Sequence, residues 1–151
     1  MLGLLSHPGA IELLRNQPEL IRPAVDEMAR FDGSVPRSWR IAKREMEIAG
    51  VRIPAGDLVL PMLASANRDE TFFENPDSFE IERESRKHLA FGRGIHVCLG
   101  APLARVEGEE IVRAILEKFK KIEITTDASA LQWRRDVALR GLIALPVALT
   151  Q

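Results

Sequence analysis

The residues best suited to chemistry lie together in one stretch, residues 88–101. It contains the single cysteine of the 151-residue chain, Cys98, and two of the three histidines. Gly92 and Gly94 permit a backbone with positive φ or a close approach to a bulky group, which predicts a tight loop here rather than a strand or helix. A sulfur presented by such a loop is suited to act as a metal ligand or as a nucleophile.

An amphipathic pattern follows Cys98 directly, so we expect this residue at the start of a helix. Free backbone N–H groups and the positive end of the helix dipole favour thiolate over thiol at such a position. The alternative role for a lone cysteine is that of a small, buried apolar side chain.

Two kinds of site remain open on the residue types alone. A zinc site would use His88, His96 and Cys98, but these supply three ligands at most and lack the paired spacing of structural zinc sites. A cysteine nucleophile would need a base, and His96 lies two positions from Cys98 in a glycine-rich loop.

A ten-residue pattern supports a third interpretation. Phe91-Gly-Arg-Gly-Ile-His-Val-Cys-Leu-Gly100, followed by Ala104-Arg105, resembles the haem-binding signature of the cytochrome P450 family in its soluble bacterial form. The resemblance implies that Cys98 is the proximal thiolate ligand of the iron in haem b (iron protoporphyrin IX), and hence the catalytic and metal-binding residue. It implies cofactor-binding roles for further signature positions, namely Phe91, Gly92, Gly94, Gly100 and Ala104. Arg40, His88 and His96 correspond to residues that contact the haem propionates.

A second resemblance concerns Glu27 and Arg30, which lie three residues apart and so share one face of a predicted helix. Taken alone, they would form an exposed ion pair worth well under about 1 kcal/mol. Beside the cysteine loop, they resemble the family's Glu-x-x-Arg motif, and residues 67–83 resemble the segment that precedes the haem loop. The resemblance implies that Arg83 completes a buried, structural group with this pair. Within residues 67–83, the positions that match the family's segment are Asn67-Arg68-Asp69, Phe72, Pro76-Asp77 and Phe79.

The helices and strands expected along the chain indicate an α+β fold. The resemblance implies that this fold is similar to the C-terminal portion of a P450, with helices and small β-hairpins around the cysteine loop. A helix capped by Ser6, with Pro8 in its first positions, is predicted to end near Asn16. A second helix is predicted over 23–31, with Asp26 and Glu27 near its positive end. The other expected helices are 62–66 and the stretch from Cys98 to about 118, and the expected strands are 46–48, 51–53, 58–60, 122–125 and 142–149.

Composition narrows the function classes. The chain has 21 basic and 22 acidic residues, and the net charge of −1 favours neither nucleic acid nor an anionic membrane as a partner. Residues 1–8 lack the basic flank and apolar core of a signal peptide, and no apolar run approaches the roughly 20 residues of a membrane span. One domain over 1–151 is expected, and the single cysteine suits a reducing cytoplasm.

For function, the resemblance implies a haem-thiolate monooxygenase that inserts one oxygen atom from O2 into a small organic substrate. A ferredoxin- or flavodoxin-like protein would donate electrons. Its docking site would be a basic patch, although an ordinary solvated face is the alternative for these residues. The patch comprises Arg86, Lys87, Arg93, Arg105 and Arg113.

The resemblance extends from Leu5 to about Leu149 and corresponds only to the C-terminal part of a family member. The long helix that crosses the distal face of the haem has no counterpart, and residues 1–5 would be at most its last turn. The expectation is therefore a truncated P450. The alternative is a remnant without catalytic activity that binds haem or another protein.

Overall fold

The computed structural model describes residues 1–84 and 87–151. Five α-helices and six short strands follow one another along these residues. The helices are α1 (Leu2–Leu5), α2 (Ala10–Asn16), α3 (Ile21–Asp32), α4 (Leu63–Ala66) and α5 (Ala101–Lys118). The strands are β1 (Arg40–Ile41), β2 (Met46–Ile48), β3 (Val51–Ile53), β4 (Leu58–Val59), β5 (Lys121–Ile124) and β6 (Val147–Thr150).

The strands form three separate two-stranded antiparallel sheets, β1 with β4, β2 with β3 and β5 with β6. The predicted hairpin over 46–53 is confirmed, with Met46 opposite Ile53 and Ile48 opposite Val51. Its turn residues, Ala49 and Gly50, have φ of 50° and 79°, as a tight hairpin turn requires. The α+β prediction is therefore confirmed, with small sheets attached to a helical centre.

The helical centre is α3, which packs against α1 and α5. Its apolar face buries Ile21, Ala24 and Val25 in the core. Gly108 of α5 meets this face so closely that an added Cβ would lie 2.8 Å from Val25 Cγ1. The glycine therefore sets the distance between the two helices. The other buried core residues are Leu4, Ala10, Leu14, Phe79, Ile81 and Val112.

Several predicted boundaries were wrong. Helix α2 starts at Ala10 and not after Ser6, because Gly9 has a left-handed φ of 81° and cannot be part of a continuous α-helix. Helix α3 starts at Ile21, so Asp26 lies in mid-helix instead of near the positive end. Pro23 falls in the first turn, where its missing N–H removes no helical hydrogen bond.

The predicted strand over 142–149 is also shorter than expected. Only Val147–Thr150 pair with β5, in register from Ile124 opposite Val147 to Lys121 opposite Thr150. Leu142 forms a single isolated bridge with Trp133. The apolar run therefore divides at Pro146, which cannot donate to a β-ladder.

Candidate functional site

The loop that carries Cys98 is closed by its own backbone. Gly92 and Gly94 have φ of 69° and 81°, which confirms the predicted positive-φ loop. The Gly92 N–H donates to Leu89 O at 2.8 Å, and the Cys98 N–H donates to Phe91 O at 2.9 Å. Cys98 is exposed, which contradicts the alternative of a buried apolar cysteine.

The sequence predicted Cys98 at the start of the helix, but the structure places this residue before the helix. Helix α5 starts at Ala101, and Gly100 is its N-terminal cap. The Ala101 N–H donates to Cys98 O at 3.2 Å, so the chain already turns ahead of the helix. Because the influence of a helix dipole is confined to the terminal turn, the loop and the cavity beside it define the surroundings of the thiol.

A cavity of about 500 Å³ lies beside Cys98. It brings together five of the residues that the family resemblance assigned to haem binding, which are Arg40, Phe91, Gly92, His96 and Cys98. Gly94, Gly100 and Ala104 are exposed and lie outside this lining. The remaining wall is formed by Ser34, Val35, Ser38, Pro61, Leu63, Leu89, Ala90 and Arg93.

The residues around the cavity fit a haem group. Cys98 offers a soft sulfur ligand for iron, apolar side chains such as Val35 and Leu63 suit a macrocycle, and the guanidinium of Arg40 suits a carboxylate. An added Cβ on Gly100 would lie 3.8 Å from Cys98 Sγ, so the glycine keeps one flank of the sulfur clear. The donor set and the cavity are therefore consistent with a haem held through sulfur.

The base of the loop is tied to residues 67–83, the irregular segment before it, which we call the meander. Asn67 is buried, and its Oδ1 accepts a hydrogen bond of 2.6 Å from the Leu89 N–H. The Asn67 carbonyl accepts a second bond, of 2.7 Å, from Arg30. One asparagine therefore connects helix α3 to the first residues of the cysteine loop.

A second anchor is built on Asp26. Its Oδ1 accepts a hydrogen bond of 2.7 Å from Arg105 Nε and lies 3.4 Å from His88 Nε2. The Arg105 guanidinium stands 4.7 Å from the centre of the Phe91 ring. We call Asp26, His88, Phe91 and Arg105 the aspartate clamp.

His88 belongs to this clamp and does not line the cavity. Its side chain is 2% exposed, and its Nδ1 accepts a hydrogen bond of 3.2 Å from the Ala90 N–H. Both ring nitrogens thus face protein partners. The structure brings His96 and Arg40 to the cavity as potential partners for a propionate, and places His88 behind the loop.

The clamp predicts a dependence of stability on pH. Burial raises the pKa of Asp26, but the hydrogen bonds from His88 and Arg105 and the charge of Arg105 outweigh it and lower the pKa. A carboxyl with a lowered folded-state pKa stabilises the fold above its unfolded pKa of about 3.9 and loses this contribution as the pH falls through the folded value. We expect Asp26→Asn to be less stable than the wild type near neutral pH, and urea unfolding should show the difference shrinking below about pH 4. A difference that stays constant down to about pH 2 would contradict this assignment.

Glu27, Arg30 and Arg83 come together in a buried charge cluster. The Glu27 carboxylate accepts two bonds of 2.7 Å from Arg30, through Nε and one terminal nitrogen. Arg83 Nε lies 3.4 Å from Glu27 Oε1, and the Glu80 N–H donates to the same oxygen at 2.9 Å. Both arginines also donate to backbone carbonyls of the meander, namely those of Asn67, Glu74, Asn75, Pro76 and Ser78. The cluster therefore holds the meander against α3.

The structure supports neither the zinc site nor the cysteine nucleophile. In residues 1–84 and 87–151, no group of three or more His, Cys, Asp or Glu side chains could hold a metal ion, which contradicts the zinc alternative. Among these residues the structure also contains no hydrogen bond between His96 and Cys98 Sγ, so His96 is not positioned as the base that a cysteine nucleophile would need.

Only part of the predicted basic patch is exposed for docking of an electron-donor protein. Arg105 is engaged by Asp26 and Phe91, whereas Lys87 and Arg93 are exposed. Arg113 is half-exposed and lies 3.8 Å from Glu110. Arg86 lies outside the described residues.

Sequence reasoning assigned no role at the loop to Asp26. Its partners His88 and Arg105 are 62 and 79 residues away in the chain, so no local spacing indicates the contact. The only available signal was indirect, since Asp26 precedes the Glu27-x-x-Arg30 pair on the same helix.

Known proteins resemble this chain in both sequence and backbone. The family model for cytochrome P450 matches residues 12–135. The polyketide biosynthesis cytochrome P450 PksS of Bacillus subtilis (strain 168) is 43% identical in an alignment 153 residues long, which covers 99% of this chain and 37% of that protein. The 6-deoxyerythronolide B hydroxylase of Saccharopolyspora erythraea is 42% identical over 146 residues, which cover 97% of this chain and 36% of that protein.

A solved structure matches equally well. P450BioI, in complex with an acyl carrier protein ligated to hexadec-9Z-enoic acid, superposes with a TM-score of 0.93 at 37% identity, covering 98% of this chain and 38% of that one. The chain thus spans a little over a third of the length of these relatives. No helix in the described part of the chain is long and apolar enough to cross a membrane.

Proposed function

This chain belongs to the cytochrome P450 family, and from that we propose that it forms the proximal, haem-binding part of a haem-thiolate monooxygenase. The observation that carries the proposal is the exposed Cys98 at the wall of the cavity that also presents Arg40 and His96. Bound haem b would supply the chemistry, which is the reductive cleavage of O2 and the insertion of one oxygen atom into a small organic substrate.

The residues of this chain would bind and orient the cofactor. Cys98 would supply the thiolate, and Gly100 leaves its flank free. Arg40 and His96 would pair with the propionate carboxylates, since both line the cavity. Leu89 and Phe91 would exclude water from the sulfur side, where a low dielectric strengthens the interaction between charges.

Electrons would come from a ferredoxin- or flavodoxin-like protein with an acidic surface. Lys87 and Arg93 are the exposed basic residues that flank the cysteine loop, and they support docking on this side. The free cysteine is consistent with a cytoplasmic location, where thiols remain reduced.

The test is haem binding through sulfur. Wild-type protein mixed with haem, reduced and exposed to carbon monoxide should give the long-wavelength Soret band typical of a thiolate ligand. We expect Cys98→Ala to lose the band and Val97→Ala, the matched control at the neighbouring exposed position, to retain it. A wild-type complex without this band would contradict the proposal.

Substrate oxidation separates an oxygenase from a remnant that only binds haem. The haem-loaded protein should be supplied with a reduced ferredoxin, O2 and a panel of small organic compounds, and the products identified by mass spectrometry. Product that retains labelled oxygen from 18O2 supports the monooxygenase. Haem binding without any product would favour the remnant.

A further inference from the structure

Three members of the aspartate clamp, Asp26, His88 and Arg105, lie outside the lining of the cavity, and the fourth, Phe91, belongs to that lining. We propose that Asp26 is a positioning residue for Cys98, because it holds Phe91, whose carbonyl accepts the hydrogen bond from the Cys98 N–H. The proposal rests on the proposed function only in treating Cys98 as the haem ligand. It deepens that function by assigning a group that sets where the ligand stands.

Asp26 is linked to the Phe91 ring through Arg105. Arg105 donates from Nε to Asp26 Oδ1 at 2.7 Å, and its guanidinium carbon is 4.7 Å from the centre of the Phe91 ring. A guanidinium is planar, so a hydrogen bond at Nε also restrains the orientation of the plane that faces the ring. Asp26 therefore fixes one side of Phe91 from helix α3.

Asp26 is also linked to the loop through His88. Because His88 Nδ1 accepts the Ala90 N–H, the ring proton belongs on Nε2, which faces Asp26 Oδ1 at 3.4 Å. The His88 and Phe91 ring centres are 5.8 Å apart. The same carboxylate thus restrains the backbone at Ala90, the residue before Phe91.

Phe91 is in turn connected to Cys98 through the backbone. The 2.9 Å bond from the Cys98 N–H to Phe91 O closes the loop across residues 92–97. Two glycines with positive φ lie inside this loop, and glycine has little intrinsic conformational preference. The position of Cys98 must therefore be imposed from the ends of the loop, and the clamp acts at one of them.

The experiment measures hydrogen exchange of individual backbone amides by NMR in the full chain without haem. We expect Asp26→Asn and Phe91→Leu each to accelerate exchange of the Cys98 N–H about tenfold, because each loosens the same restraint. The double variant should exchange no faster than the faster single variant, as expected for residues that act in one chain of contacts. Arg113→Lys is the control and should leave the rate unchanged, because Arg113 lies on α5 with Arg105 but pairs with the exposed Glu110.

Two outcomes would overturn the proposal. One is an unchanged Cys98 rate in Asp26→Asn. The other is an acceleration at Cys98 no larger than that at the buried Val112, since the Val112 amide reports the loss of global stability expected for Asp26→Asn and only an excess at Cys98 reports a local restraint.

The haem-loaded protein adds a second readout. Asp26→Asn should bind haem but give a smaller fraction of the reduced carbon monoxide complex with the thiolate-type band than wild type. Unchanged fractions would count against positioning. If wild-type protein shows no such band, the proposed function fails while the exchange result still decides the role of Asp26.

Discussion

Replacement of Glu27 by Gln is expected to lower the free energy of unfolding by about 3–5 kcal/mol, because it removes the carboxylate paired with the buried Arg30. It also removes one of the two carboxylates near the buried Arg83, the other being that of Glu80 at 3.3 Å. Glu27 is 4% exposed, Arg30 2% and Arg83 7%. The amide would keep the shape of the side chain while losing the charge, so the loss reports electrostatics more than packing. Urea unfolding followed by circular dichroism measures the change.

The matched control is Glu45→Gln in the sequence just before β2. Glu45 and Arg52 are 2.5 Å apart, but their side chains are 56% and 73% exposed. Solvent screens such a pair, and we expect its loss to cost less than about 1 kcal/mol. Equal effects of the two substitutions would contradict the role of the buried cluster.

Gly108→Ala is expected to destabilise the fold by about 1–3 kcal/mol, even though alanine is the better helix former by about 1 kcal/mol. The new Cβ would stand 2.8 Å from Val25 Cγ1, a separation at which the Val25 side chain must leave its position or α3 and α5 must move apart. Thermal unfolding of the single variant tests the sign of the effect.

The double variant Val25→Ala with Gly108→Ala identifies the cause. Removing the Val25 methyl groups makes room for the new Cβ, so the two losses should be less than additive. Additive losses would show that the Gly108 effect arises elsewhere in the helix.

Local patterns predicted the elements whose determinants are close in sequence. The hairpin over 46–53 was predicted from two apolar segments around Ala49-Gly50, and the loop from Gly92 and Gly94. The P450 resemblance was confirmed by the family match over 12–135. Each of these depends on residues within about ten positions of one another, where turn chemistry and motif spacing are informative.

Contacts between distant segments could not be predicted from local patterns, and the grouping of Arg83 with Glu27 and Arg30 was expected only from the family resemblance. Asp26 and Arg105 are 79 residues apart, and Asn67 and Leu89 are 22 apart, so their pairing depends on how α3, the meander and α5 pack. The start of α3 was missed for a related reason. Pro23 marks a helix start in sequence, yet packing of Ile21 in the core extends the helix by two residues.

The span of the charge cluster has a consequence for the order in which the chain folds. The β2–β3 hairpin closes over neighbouring residues, whereas Glu27 must meet Arg83 across 56 residues and Asp26 must meet Arg105 across 79. Closing a longer segment costs more chain entropy, so we expect these contacts to form after the local ones. Since Asn67 and Asp26 both hold the cysteine loop through α3, we expect the loop to become ordered only once the meander and α5 have packed against that helix.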